Sequence, residues 1–287
     1  MDARRFLSLV KESFGEWNKD NASLLAAGLA YYTLFSISPL VIILVVLVGI
    51  ILGPGASQGD IVEAMSGFVG PQVAVMIEDA IRNVSNPASS LTATVIAFAL
   101  LFFGATGLFL QTKRGLGIIF AAGNKDGVVV GTIKSYFRSM LLIVIVGFLL
   151  LLAGIMTAVL SSTGRYMKPY MNQFPPFDVG LLQIINLVVF LVFVTILFAF
   201  TYKTLSGVKL LWKDVFPGAA LAALLFAAGN ILLQLYVENI AVGSVYGAAS
   251  TLVVALLWIY YSAQIFFFGA EFVKVYGRAR GSHYYGL

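Results

Sequence analysis

Six stretches of this chain run for about twenty residues or more with almost no charged side chain, near 25–53, 92–111, 137–160, 180–201, 214–236 and 245–273. A run of that length matches the hydrocarbon thickness of a bilayer, where backbone N–H and C=O groups find no water and must bond within the protein. Helices meet that demand locally, whereas a closed barrel needs a strict alternation of apolar and polar residues that these runs lack. Hydrophobic residues make up 60% of the chain and charged residues 11%, and mean hydropathy is +0.95. The expected fold is all-α: a polytopic membrane protein with six transmembrane helices.

The basic residues predict an orientation. Arg4, Arg5, Lys11, Lys19, Lys113, Arg114, Lys125, Lys134, Arg138, Lys203, Lys209, Lys213, Lys274, Arg278 and Arg280 fall on the side of the six spans that holds both termini. Only Arg82, Arg165 and Lys168 fall on the other. Cytoplasmic flanks carry the excess of Lys and Arg, so both ends are expected in the cytoplasm of a bacterial inner membrane. A cytoplasmic segment 1–24, a membrane domain 25–273 and a cytoplasmic tail 274–287 follow. The polar start, Met1 to Asn21, lacks the apolar core of a cleaved signal peptide, so the first span is expected to be an anchor.

The outer loop after the first span contains an amphipathic segment within 57–85. Val73, Ile77, Ile81 and Val84 recur at helical spacing while Glu78, Asp79, Arg82 and Asn83 face away, which fits a helix lying on the outer surface or a cap over the bundle. The first and last spans exceed the length that hydrocarbon requires and must tilt, kink or protrude. Pro39 supplies a kink in the first, since it removes a backbone donor and crowds the preceding turn.

Polar side chains inside spans are the candidates for function, because each needs a partner or a wet cavity. Gly104, Gly107, Gln111 and Arg114 share one face of the second span, and Tyr260, Gln264 and Glu271 one stripe of the last. A buried Glu271 needs a cation, and Arg114 or Lys113 is predicted at comparable depth, with Arg114 the expected partner; the alternative is a solvated, snorkelling carboxylate. Ala219, Ala223, Ala227, Asn230, Gln234 and Glu238 form a stripe on the fifth span, small at one end and polar at the other. Gln183 and Asn186 on the fourth lie at similar depth, so these helices either line an outward-facing cavity or bond to each other directly. Gln111, Arg114, Gln183, Asn186, Asn230, Gln234, Tyr260, Gln264 and Glu271 are the candidate cavity or substrate path.

No Asp, Glu, Lys or Arg lies in the middle third of any predicted span, where a coupled ion pump usually carries one. The chain has no cysteine, one histidine (His283, in the tail), no Walker A loop and no G-x-S-x-G elbow. No enzyme, cofactor or metal centre is expected. The net charge of +5 is distributed as topology requires, so no nucleic-acid partner is expected either.

Three stretches carry a resemblance: AAGLAYYTLFSISP from Ala26, GATGLFLQTKRG from Gly104, and Thr201 to Tyr276 with TYKTLSGVKLLWKDVFPGA and VYGAASTLVVALLWIYYSAQIFFFGAEF. Together they resemble the YihY/BrkB family of bacterial inner-membrane proteins, once labelled ribonuclease BN. The sequence departs from that pattern at Leu205, Ser206 and Gly207, where relatives tend to have a proline, and at Phe120, where tryptophan is expected. The resemblance implies the six-span topology but no mechanism. The residues suggest a transporter or conduit for lipids or other amphiphiles, with membrane lipids as partners; the alternative is a scaffold or envelope assembly factor. The Gly and Ala faces allow a homo-oligomer as readily as internal packing.

Overall fold

The computed structural model describes residues 3–36, 91–122, 179–239 and 248–282, and every regular element among them is helical. We number these α1 (Ala3–Lys19), α2 (Ala22–Ser36), α3 (Leu91–Ile119), α4 (Val179–Leu205), α5 (Trp212–Asn239) and α6 (Ala248–Ala279). Within the described residues three helical stretches are long and apolar enough to cross a membrane: Leu187–Leu205, Trp212–Leu232 and Val253–Ala279. The predicted span 137–160, the outer segment 57–85 and Pro39 lie outside the described residues, as does the first predicted span beyond Ser36.

α5 packs along both α4 and α6, α1 lies on α6, and α3 touches α4 and α6. Small residues permit the closest approach. A Cβ on Gly269 of α6 would lie 2.6 Å from the Ala222 Cβ of α5, and one on Gly104 of α3 would lie 2.9 Å from the Ser36 backbone N of α2. The shared core is closed by Tyr202, wholly buried, whose hydroxyl donates to the Phe266 carbonyl at 2.7 Å. Outside the core, Leu187, Val192 and Ile196 of α4, Leu224 and Ile231 of α5, and Val253 and Leu257 of α6 are exposed. Large aliphatic side chains left outward along three long helices suit lipid as the surrounding solvent.

The helix ends explain how the chain turns. Asn21, in the left-handed region at φ 52°, separates α1 from α2. α6 ends in a Schellman arrangement, with Ser282 N donating to Gly277 O, Gly281 N to Arg278 O, and Gly281 at φ 77°. Helix therefore continues past residue 273, through the first part of the predicted tail, because no stop signal precedes Gly281.

Pro217 lies inside the first turns of α5 and has no N–H to offer the Lys213 carbonyl. Arg280 Nη1 donates to that carbonyl instead, at 3.2 Å. The end of α6 is also tied to the start of α5 by Arg280 against Asp214 at 3.4 Å and by Ser282 Oγ donating to Asp214 Oδ2 at 2.7 Å. Arg5 Nη2 reaches the Ala279 carbonyl from α1. These bonds bring the N-terminal helix, the α4–α5 connection and the end of α6 to one end of the bundle, with the described members of the basic set that the sequence assigns to one side.

Candidate functional site

On α6 the i, i+3 spacing stacks Lys274 against Glu271. Glu271 is wholly buried, and its Oε2 lies 3.2 Å from Lys274 Nζ. Glu16 and Asp20, four residues apart at the end of α1, approach the same ammonium, each with an oxygen at 2.7 Å. Three carboxylates thus surround one Lys274, whose three N–H groups match three acceptors. Arg278 and Lys19 approach Glu16 at 3.4 and 3.6 Å, so that carboxylate meets three cations. The hydrogen bond from Lys274 holds the Glu16 carboxyl below its ordinary range, helped by the charges of Lys274, Arg278 and Lys19 against a smaller opposing effect of burial. Oxygens of Glu16, Asp20 and Glu271 all lie within 4.8 Å of one another, a spacing that could hold a metal ion. Here the lysine is the cation that the trio surrounds.

The expected pairing of Glu271 with Arg114 is corrected by this arrangement. Gly115 occupies the position on α3 that faces α6: a Cβ there would lie 2.5 Å from the Phe267 ring. Arg114 is one residue, about 100°, around the helix from that face and is exposed. Glu271 takes its cation from its own helix.

The other candidates divide into three groups. Gln111 and Asn230 are used in helix contacts: Gln111 Nε2 donates to the Leu25 carbonyl at 3.3 Å in the space left by Gly28, and Asn230 Oδ1 accepts from Trp258 Nε1 at 2.8 Å. Tyr260 and Gln264 are half-buried on the Glu271 stripe, Tyr260 against the common core. Gln264 Oε1 and Glu271 Oε1 are buried with no hydrogen-bond partner among the described residues. Gln183, Asn186 and Gln234 lie in α4 and α5, but their side chains are outside what is described.

Sequence reasoning missed the role of Glu16, Asp20 and Lys274, having read Lys274 only as a topological charge. The available signal was the i, i+4 pair of acids beside the i, i+3 pair on α6.

Comparison with known proteins adds the family. The sequence model of the family described as Virulence factor BrkB matches residues 13–284. The chain belongs to the BrkB family. Relatives called UPF0761 membrane proteins include one from Rhodospirillum centenum, 23% identical over 89% of this chain and 54% of its own length. Another, from Alcanivorax borkumensis, is 24% identical over 94% of this chain and 59% of its own. This chain thus spans little more than half the length of those two. A third, from Idiomarina loihiensis, is 24% identical over 90% of this chain and 87% of its own length. No solved structure matches. This BrkB-family chain is an integral membrane protein, all-helical among its described residues.

Proposed function

We propose that this BrkB-family protein is a conduit for lipids or related amphiphiles in the bacterial inner membrane, with both termini cytoplasmic and no catalytic role. One observation carries the reading: two buried acceptors on one stripe of α6, Gln264 Oε1 and Glu271 Oε1, have no donor among the described residues. Buried polar atoms are nearly always satisfied, and inside a membrane an orphan acceptor calls for water or for a ligand bearing N–H or O–H groups. A polar headgroup passing along the stripe supplies such donors while its acyl chains stay against the apolar helix faces. The described basic residues gathered at one end of the bundle support the orientation.

The test is exchange of a fluorescent lipid between leaflets of vesicles containing the purified protein, read by an impermeant quencher. The expected result is exchange above that of empty vesicles, reduced by Gln264→Leu without change in thermal unfolding. Exchange no faster than in empty vesicles overturns the proposal. A second reading, a non-transporting scaffold, draws on Gln111 and Asn230, whose bonds to other helices are those of packed contacts. A stable stoichiometric protein partner after mild extraction, with no lipid exchange, favours it.

A further inference from the structure

The proposed conduit concerns the stripe along α6; the rim at the basic end of the bundle carries a separate feature. α1 seats Leu9 against Phe272 and Val275 of α6 and buries Ser13 on the same side. The far side of the helix, about 140–160° around from Leu9, is left open: Leu7 is 65% exposed and Phe14 55%. Seven residues apart, these two side chains point within about 20° of each other, and Lys11 and Arg4 lie only about 40–60° from Leu7. Both basic residues are exposed. Glu12, the exposed acid of α1, projects about 140° away from Leu7, so the apolar edge is bordered by positive charge.

The α4–α5 connection repeats this combination independently. Leu211 is 57% exposed and Trp212 44%, and Lys209 and Lys213 flank them, also exposed. Lys203 sits over the Trp212 ring at 5.1 Å, which fixes the indole at the end of the bundle. Both patches are tied to α6, one by Arg5 on the Ala279 carbonyl and the other by Arg280 on the Lys213 carbonyl. They are therefore held at one level, where the spanning helices end. Apolar side chains beside Lys and Arg at that level match the boundary between acyl chains and phosphates.

We infer that α1 and the α4–α5 connection form a docking surface for the anionic phospholipids of the leaflet at the basic end. Leu7, Phe14, Leu211 and Trp212 enter the acyl boundary, and Arg4, Lys11, Lys209 and Lys213 contact phosphate. Two features of the molecule select lipid over a protein partner: the charge complementarity, and continuity with the membrane through α2, which only two residues separate from α1.

The experiment uses the full chain in vesicles of phosphatidylcholine mixed with phosphatidylglycerol. A fluorophore is placed on Leu7→Cys, Phe14→Cys or Leu211→Cys in this cysteine-free sequence. Quenching by brominated lipid is compared with quenching by aqueous iodide. The expected result is quenching by both brominated lipids but preferentially by phosphatidylglycerol, with the preference falling by roughly five-fold for each charge removed in the R4Q and K11Q variants. Added salt weakens the preference, as screening requires. Equal quenching by the two brominated lipids overturns the inference. So does quenching by iodide alone, and so does protection from both quenchers, which identifies a protein covering the surface. Lipid exchange is not read in this assay, so the docking surface and the conduit fail or stand separately.

Discussion

Lys274 Nζ and Asp20 Oδ2 are 2.7 Å apart across 254 residues of sequence, and this contact fastens the N-terminal helix to the last membrane helix. The same ammonium holds Glu16 and the buried Glu271, so removing it leaves three carboxylates without their shared cation. Lys274→Met is expected to destabilise the protein by about 3–5 kcal/mol, the usual cost of breaking one side of a buried ion cluster. Thermal unfolding in detergent measures the loss. Protease release of α1 from an otherwise folded protein shows where it falls. A midpoint unchanged from the parent would mean that hydrophobic contacts alone hold α1.

The attachment should also depend on pH. Glu16 has its carboxyl held below the ordinary value by Lys274, so folding favours its ionised form. A depressed carboxylate contributes stability that is fully present above its unfolded value of 4.5 and is lost as pH falls through the lower folded value. Hydrogen exchange of α1 amides is expected to be flat from neutrality to about pH 5 and to accelerate, after correction for intrinsic rates, below the ordinary carboxylate range. Glu16→Gln should flatten that acid limb. An acid limb unchanged in that variant would assign it to other carboxylates.

The membrane helices were legible because a bilayer demands something that a sequence displays, a long run without charge. α4, α5 and α6 fall on three of the predicted runs for that reason. The N-terminal helix was hidden by its polarity, although Phe6, Val10, Ser13 and Trp17 already mark one helical face. Glu271 was read as needing a cation, but its partner could not be chosen by depth alone. Arg114 and Lys274 both lie toward the basic ends of their apolar runs, and the choice depends on Gly115 turning toward Phe267. Likewise, Asn230 reads equally well as a cavity wall or a contact until Trp258 is placed 2.8 Å away. Rotation about a helix axis is set by packing against neighbours, and a single sequence states it only weakly.

Gly269 illustrates such packing. A methyl group there would lie 2.6 Å from Ala222 Cβ and 2.5 Å from the Tyr202 hydroxyl, which itself bonds the Phe266 carbonyl. Gly269→Ala is expected to force α5 and α6 apart and cost about 1–3 kcal/mol. Gly15→Ala, where a Cβ meets nothing within 4 Å, should gain a few tenths up to about 1 kcal/mol from helix propensity. Thermal unfolding of the pair of variants gives opposite signs if close approach is the reason for the first glycine.

The end of α3 offers the converse test. Ala122 N donates to Gly117 O and Ala121 N to Ile118 O, the same bonds that close α6 around Gly281. At α3 the left-handed position holds Ala121, at φ 48°, and not glycine. An L side chain in that conformation costs about 1–2 kcal/mol, part of which is offset because glycine loses more backbone freedom on folding. Ala121 is exposed, so Ala121→Gly removes no core contact. The substitution is expected to raise stability by about 0.5–1 kcal/mol in thermal unfolding. Loss of stability on that change would mean that the Ala121 methyl contributes packing beyond the strain it carries.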